Sequence, residues 1–111
     1  MDATDAIAAL AALAHPTRLD AFRLLVGSEP GGKPAGALAA ALNVPQNTMS
    51  AHLASLARAG LVTGERRGRQ VLYRAAVDRL GALVGFLVND CCGGRPQTCT
   101  ALSGERGSFS R

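Results

Sequence analysis

Apolar residues recur at helical spacing along most of this chain, and proline or glycine separates the runs. The first run, residues 2–13, predicts a helix with Thr4 and Asp5 as candidate N-caps. Its apolar positions are Ile7, Leu10 and Leu13. Alanine fills the positions between them, so we expect this helix to pack closely against another one.

The His15-Pro16 pair separates the first helix from a second one, because the residue before proline avoids the helical region. Proline suits the first turn of a helix, and Gly27 marks its end. We interpret His15 as a structural hydrogen-bonding group, with metal binding as the less favoured alternative. Residues 28–33 are predicted to form a loop. The apolar face of the second helix consists of Leu19, Phe22, Leu25 and Val26.

Two further helices with a tight turn between them predict a helix-turn-helix. The first of them starts at Pro34 or Ala35 and ends at Leu42, and the turn covers residues 43–45. The second runs from Gln46 to about Ala59, and Gly60 ends it. Its buried stripe is predicted to be Met49, Leu53 and Leu56, while small polar residues point outward.

The outer face of that helix lacks acidic residues, as does the whole stretch 42–64. Amide side chains can pair with adenine, and hydroxyl side chains can bond bases or phosphates. A helix that is merely solvated would normally carry glutamate and lysine on this face. The composition therefore favours a surface that enters the major groove of DNA.

A β-hairpin is predicted next, with strands at 61–67 and 70–75 and a turn at Gly68-Arg69. Three cations cluster at its tip, where they fit contacts to phosphates or to the minor groove. This hairpin is predicted to be a wing, with Tyr73 anchoring it to the helices. The cations are Arg66, Arg67 and Arg69.

The last helix is predicted over residues 78–90, and it has too many apolar positions for one stripe. Such a helix is buried on most sides, so we expect it to form a dimer interface with the alanine-rich first helix. The predicted fold is mainly α, with about five helices, a two-stranded antiparallel wing and a homodimeric assembly. Residues 1–92 are the predicted DNA-binding and dimerisation domain, and 93–111 a C-terminal loop and disordered tail.

Composition and charge agree with a small nucleic-acid-binding domain. The chain has 111 residues, a formal net charge of +4 and no tryptophan, so its core is thin and association would help to complete it. Six of the twelve basic residues lie between Arg58 and Arg79, a local excess that suits a polyanion. A solvated charged surface is the alternative. Neither a leader peptide nor a membrane span is evident, which predicts a cytoplasmic protein with reduced thiols.

Several runs together resemble the ArsR family of dimeric winged-helix repressors, which sense metals or metalloids. They are AHPTRL at 14–19, NTMSAHL at 47–53, Leu56 with AGLV at 59–62, and RGRQVLY at 67–73. The resemblance implies a homodimer formed by the first and last helices, on an inverted-repeat operator in double-stranded DNA. It also implies DNA contacts from the wing arginines and from Gln46, Asn47, Thr48, Ser50, Ala51 and His52.

The chain departs from the family at the usual metal positions. The third helix carries no cysteine, and the last helix has Asp78 but no histidine. What remains is a cluster of three cysteines that resembles the site of arsenic-sensing members. They are Cys91, Cys92 and Cys99.

Three thiolates without a fourth ligand suit trivalent arsenic or antimony, whereas a closed zinc site usually has four ligands. We therefore predict no required cofactor, and As(III) or Sb(III) as effector. A divalent metal (cadmium, lead or zinc) and a redox switch stay open as alternatives, as do inert tail cysteines. A thiol enzyme is disfavoured because no histidine lies near Cys91 to act as its base. A winged helix that binds protein instead of DNA is the other competing class.

Overall fold

The computed structural model describes the backbone of residues 1–90 and the side chains of residues 1–88. Four helices precede the hairpin: α1 (Ala3–Leu13), α2 (Pro16–Gly27), α3 (Ala35–Leu42) and α4 (Gln46–Arg58). The strands are β1 (Lys33–Pro34), β2 (Val62–Arg67) and β3 (Gln70–Ala75). Helix α5 (Val77–Gly85) follows and continues as a π-helical turn, Phe86–Asp90.

Local capping explains where the helices begin and end. Asp2, not Thr4 or Asp5, caps α1, because its Oδ1 accepts a hydrogen bond from the Asp5 amide at 2.8 Å. His15 caps α2 by accepting from the Thr17 amide at 3.2 Å, as its predicted structural role requires. Asn43 ends α3 in the left-handed conformation, with φ 57°.

The sheet has three strands, whereas the sequence predicted a two-stranded wing. Strand β1 pairs antiparallel with β3, with Lys33 opposite Tyr73 and Pro34 opposite Leu72, so the order is β1-β3-β2. A two-residue strand inside a loop rich in glycine and proline has no alternating pattern to detect. Proline lacks an amide hydrogen and is tolerated in such an edge strand.

The core lies between the helix-turn-helix, α2 and the base of the sheet. Its largest fully buried side chains are Leu25, Leu38, Met49, Leu53, Leu56 and Leu61. The predicted stripe of α4 is therefore confirmed. Tyr73 is half-buried and packs against the core, which confirms its predicted role as the anchor of the wing.

Helix α1 packs against its own chain mainly through its small residues, and Leu13 at its end is half-buried against the core. Its buried residues are the alanines Ala6, Ala9 and Ala12, while Ile7 is 65% exposed and Leu10 43% exposed. Alanine has no side chain beyond Cβ, so the α1 backbone can approach its neighbours closely. In α2, Phe22 and Leu25 are buried as predicted, but Leu19 is 42% exposed.

The last helix covers residues 77–90, close to the predicted 78–90, but it changes from α-helical to π-helical geometry at Phe86. Leu83 is buried, but Val77 and Val84 are exposed on the single chain. No helix within residues 1–90 is long and apolar enough to cross a membrane. Cys91, Cys92, Cys99 and the predicted boundary at residue 92 lie outside the described residues.

Candidate nucleic-acid interface

Helix α4 presents five of its six candidate DNA contacts to solvent. They are Gln46, Asn47, Thr48, Ser50 and Ala51. Pro45 caps α4 without a side-chain hydrogen bond, and Asn47 Oδ1 accepts from the Thr48 amide at 2.9 Å. This bond occupies one lone pair of the Asn47 carbonyl, so its NH2 group is the freer end for a base or a phosphate.

A cleft of about 390 Å³ separates the start of α4 from the wing. Gln46 and Ser50 line one wall, and Arg69 and Gln70 line the other. Gly36 at the start of α3 makes room for Gln46, because an added Cβ would lie 3.3 Å from Gln46 Oε1. Helix α4, the second helix of the helix-turn-helix and thus its recognition helix, and the wing therefore form one polar surface.

The arginines at the tip of the wing are exposed to solvent. Arg67 Nε lies 3.3 Å from Glu65 Oε2 in an ion pair that is open to water, so the pair adds little stability. Arg66 donates to the carbonyl of Gly68 at 3.5 Å, and the backbone pairing of Arg67 with Gln70 closes the hairpin. Gly68 has φ +62°, which glycine adopts without strain. Within residues 1–88, Arg66 and Arg69 form no ion pair.

His52, the sixth candidate on α4, is half-buried in a cluster with residues of α2. Its ring centroid lies 4.6 Å from that of His15, and its Nδ1 accepts from Arg18 Nε at 3.3 Å. Burial lowers the pKa of His52, and the nearby His15 and Arg18 lower it further. The ring is therefore neutral near pH 7, with its proton on Nε2. Sequence reasoning did not connect these residues, since His52 lies 34 positions from Arg18.

Arg79 joins the end of the recognition helix to α1 and α5, and the sequence did not indicate this role. A Cβ added to Gly60 would lie 3.0 Å from Arg79 Nε, so the guanidinium covers this glycine. Arg79 Nη2 also lies 3.7 Å from Asp5 Oδ1 on α1. The amide of Ala76, just before α5, donates to the Leu61 carbonyl at 2.8 Å. The start of α5 is thereby attached to the junction between α4 and β2.

A short helix, a turn, a second helix with an exposed polar face and a hairpin tipped with arginines define a winged helix-turn-helix. A family model described as a helix-turn-helix domain matches residues 13–65. The biofilm growth-associated repressor of Agrobacterium fabrum is 36% identical over 90 residues, which covers 81% of this chain and 74% of the repressor.

The transcriptional repressor SmtB of Mycobacterium tuberculosis is 45% identical over 75 residues, 68% of this chain. That match spans about half of the repressor, 53% of its length. A solved homodimeric winged helix-turn-helix DNA-binding domain from Mycobacterium bovis, a possible ArsR-family regulator, is 31% identical with a TM-score of 0.63. The alignment covers 84% of this chain and 86% of that one. The chain therefore belongs to the ArsR/SmtB family of helix-turn-helix transcriptional regulators.

Proposed function

We propose that this protein is a transcriptional repressor that binds an inverted-repeat operator as a homodimer. The observation that carries the proposal is the exposed, acid-free face of α4 beside a wing whose Arg66 and Arg69 lack carboxylate partners within residues 1–88. Side chains of this type supply base contacts in the major groove and phosphate contacts beside it. His52 belongs to this surface by its place on α4, and its Nε2 hydrogen is the group that it offers.

The dimer is proposed from the apolar side chains that a single chain leaves in water. Ile7 and Leu10 of α1 and Val77 and Val84 of α5 are all more than two-fifths exposed. Two copies that cover these faces would complete a small core, and the M. bovis domain is a homodimer. A two-fold axis would place the recognition helices in successive major grooves, about 34 Å apart.

The effector is proposed to be trivalent arsenic or antimony, bound by Cys91, Cys92 and Cys99. The support is chemical: three thiolates suit a three-coordinate soft centre. In the sequence, Cys91 and Cys92 come directly after the π-helical turn that continues α5. Since α5 starts at the α4–β2 junction, a ligand that alters α5 would shift the spacing of the recognition helices. A coupling of about 1–3 kcal/mol lowers DNA affinity roughly 5- to 150-fold. Release by a divalent metal or by oxidation of the same cysteines is the alternative.

The test is a fluorescence-anisotropy titration with a duplex that carries an inverted repeat, repeated at rising salt. We expect binding that weakens steeply with salt, because each phosphate contact releases a counterion. Arg66→Ala/Arg69→Ala should lower the affinity and flatten the salt dependence. If the wild-type protein does not bind any duplex at low salt, the protein is not a DNA-binding repressor.

The effector is tested on the preformed DNA complex with arsenite, antimonite, cadmium, lead, zinc and peroxide in parallel. We expect arsenite and antimonite to release wild-type protein but not Cys91→Ser/Cys92→Ser. Release of both proteins to the same extent would show that Cys91 and Cys92 do not bind the effector. Release by cadmium, lead, zinc or peroxide alone would favour the alternative.

A further inference from the structure

A second cationic cleft lies where α1, α2 and α4 meet, apart from the cleft between α4 and the wing. Its volume is about 240 Å³. Alanines of α1 and Ala59, the C-cap of α4, form its apolar lining. Its polar lining consists of Arg18 from α2 with Ser55 and Arg58 from α4. Neither arginine was among the DNA contacts that the sequence predicted.

Both arginines are oriented by neutral acceptors one helical turn apart on α4. Arg18 donates from Nε to His52 Nδ1 at 3.3 Å, and Arg58 donates from Nη2 to Ser55 Oγ at 3.1 Å. Each bond uses one of the five N–H groups of a guanidinium and leaves the others for a ligand. Because burial and the neighbouring charges lower the pKa of His52, its ring stays a neutral acceptor near pH 7.

The charge of this cleft is not compensated within residues 1–88. Three other arginines lie within 4 Å of a carboxylate: Arg67 with Glu65, Arg74 with Glu29 and Arg79 with Asp5. Arg18 and Arg58 have no such partner in the same part of the chain. Two guanidinium groups around one cleft repel each other, and a bound oxyanion removes that repulsion while accepting their free N–H groups.

We propose that the Arg18–Arg58 cleft is a binding site for a phosphate oxyanion, most simply a backbone phosphate of the DNA. Ser55 and Arg58 continue the outward face of α4 beyond Thr48 and Ala51, so the cleft lies at the edge of the proposed DNA surface. A contact there positions the protein on the duplex and reads no base sequence. The choice of DNA as the source rests on the proposed function, whereas the oxyanion site itself does not.

The DNA arm compares Arg18→Gln and Arg58→Gln with Arg23→Gln, which removes the same charge from an exposed position of α2 outside this cleft. Each protein is titrated with a duplex carrying the inverted repeat and with a scrambled duplex of the same length. Either cleft variant should lose roughly tenfold in affinity at about 0.1 M salt, equally for both duplexes. The slope of log K against log salt should become less steep by about 2, because each copy in the dimer loses one phosphate contact worth about 0.9 of slope. Arg23→Gln should match the wild type in both.

The free-anion arm titrates inorganic phosphate into the DNA-free protein at constant ionic strength and follows the arginine side-chain resonances by NMR. We expect the Arg18 and Arg58 signals to shift and the Arg23 signal to stay. Circular dichroism checks that the variants are folded. If Arg18→Gln unfolds because it loses its bond to His52, Arg58→Gln decides alone, since Arg58 is exposed and its bond within residues 1–88 is to Ser55 of its own helix.

The outcomes separate the two proposals. Uniform loss of DNA affinity in the cleft variants supports a DNA phosphate as the ligand. Phosphate-induced shifts with unchanged DNA affinity support the oxyanion site and exclude the DNA as its source. If the wild-type protein binds no duplex but shows these shifts, the oxyanion site stands and the proposed DNA-binding function fails. If the cleft variants bind DNA as tightly as Arg23→Gln and phosphate shifts neither arginine signal, the proposed oxyanion site is wrong.

Discussion

At the scale of single residues, His52 links the outer face of α4 to the start of α2. Its Nδ1 accepts from Arg18, and this bond orients a cation at the edge of the recognition helix. The bond requires a neutral ring, because a protonated imidazole is a donor at both nitrogens. The protonation state of His52 therefore controls how Arg18 is held.

This arrangement predicts a pH dependence of stability. The pKa of His52 in the folded protein is lowered from 6.5, so just below that pH the unfolded chain binds a proton that the folded chain does not. The His52 contribution is fully present above pH 6.5 and is lost as the pH falls toward the folded pKa.

Urea unfolding at about pH 7.5 and about pH 5.5 measures this effect. The free energy of unfolding should fall more between these conditions for the wild type than for His52→Gln, which does not titrate. An equal fall for both proteins would show that His52 is not the responsible group.

At the scale of elements, the junction between α4 and β2 determines where the recognition helix stops. Gly60 adopts φ +80°, and its missing side chain leaves room for the Arg79 guanidinium. The Leu61 amide then returns a bond to the Leu56 carbonyl at 3.0 Å. The end of α4 therefore contacts α5 through Arg79, which lies over Gly60, and through the bond between Leu61 and Ala76. The wing begins at the residue after Leu61.

Gly60→Ala should lower the free energy of unfolding by about 1–3 kcal/mol, because alanine is strained at this φ and its Cβ crowds Arg79 Nε. Gly27→Ala is the matched control. Gly27 is the last residue of α2, and nothing lies within 4 Å of an added Cβ there. The control should be neutral or more stable by up to about 1 kcal/mol. Equal effects in thermal or urea unfolding would contradict this account of the junction.

At the scale of the whole molecule, one face of α1 packs within the chain and another face is available for association with a second copy. The alanine face packs inward against the chain's own helices, and the face with Ile7 and Leu10 remains in water. A chain this small buries little apolar surface by itself, and its exposed apolar side chains on α1 and α5 favour association with a second copy that covers them.

Ile7→Glu should therefore dissociate the dimer while leaving the fold of each chain intact. Each copy would bury one carboxylate, and the dissociation constant should rise at least roughly 100-fold, equivalent to about 2.7 kcal/mol. Sedimentation equilibrium measures it, with Ala40→Glu as a control that adds the same charge to an exposed position of α3. Unchanged association of Ile7→Glu would place the interface elsewhere.

The sequence by itself determined the elements whose causes are local. The helix-turn-helix, the left-handed Asn43, the stop at Gly60 and the hairpin turn at Gly68 all follow from side-chain period and backbone preferences within a few residues. The buried stripe of α4 was predictable for the same reason, since Met49, Leu53 and Leu56 are its largest apolar side chains.

Only the tertiary structure decided which face of α1 is buried, because an alanine-rich helix has small residues on every side and its period does not distinguish them. The same holds for the pairing of β1 with β3 and for the Arg79–Asp5 ion pair. It also holds for the Arg18–His52 contact, whose partners lie 34 positions apart. Such contacts depend on how the elements pack, and no periodic pattern along the chain specifies that packing.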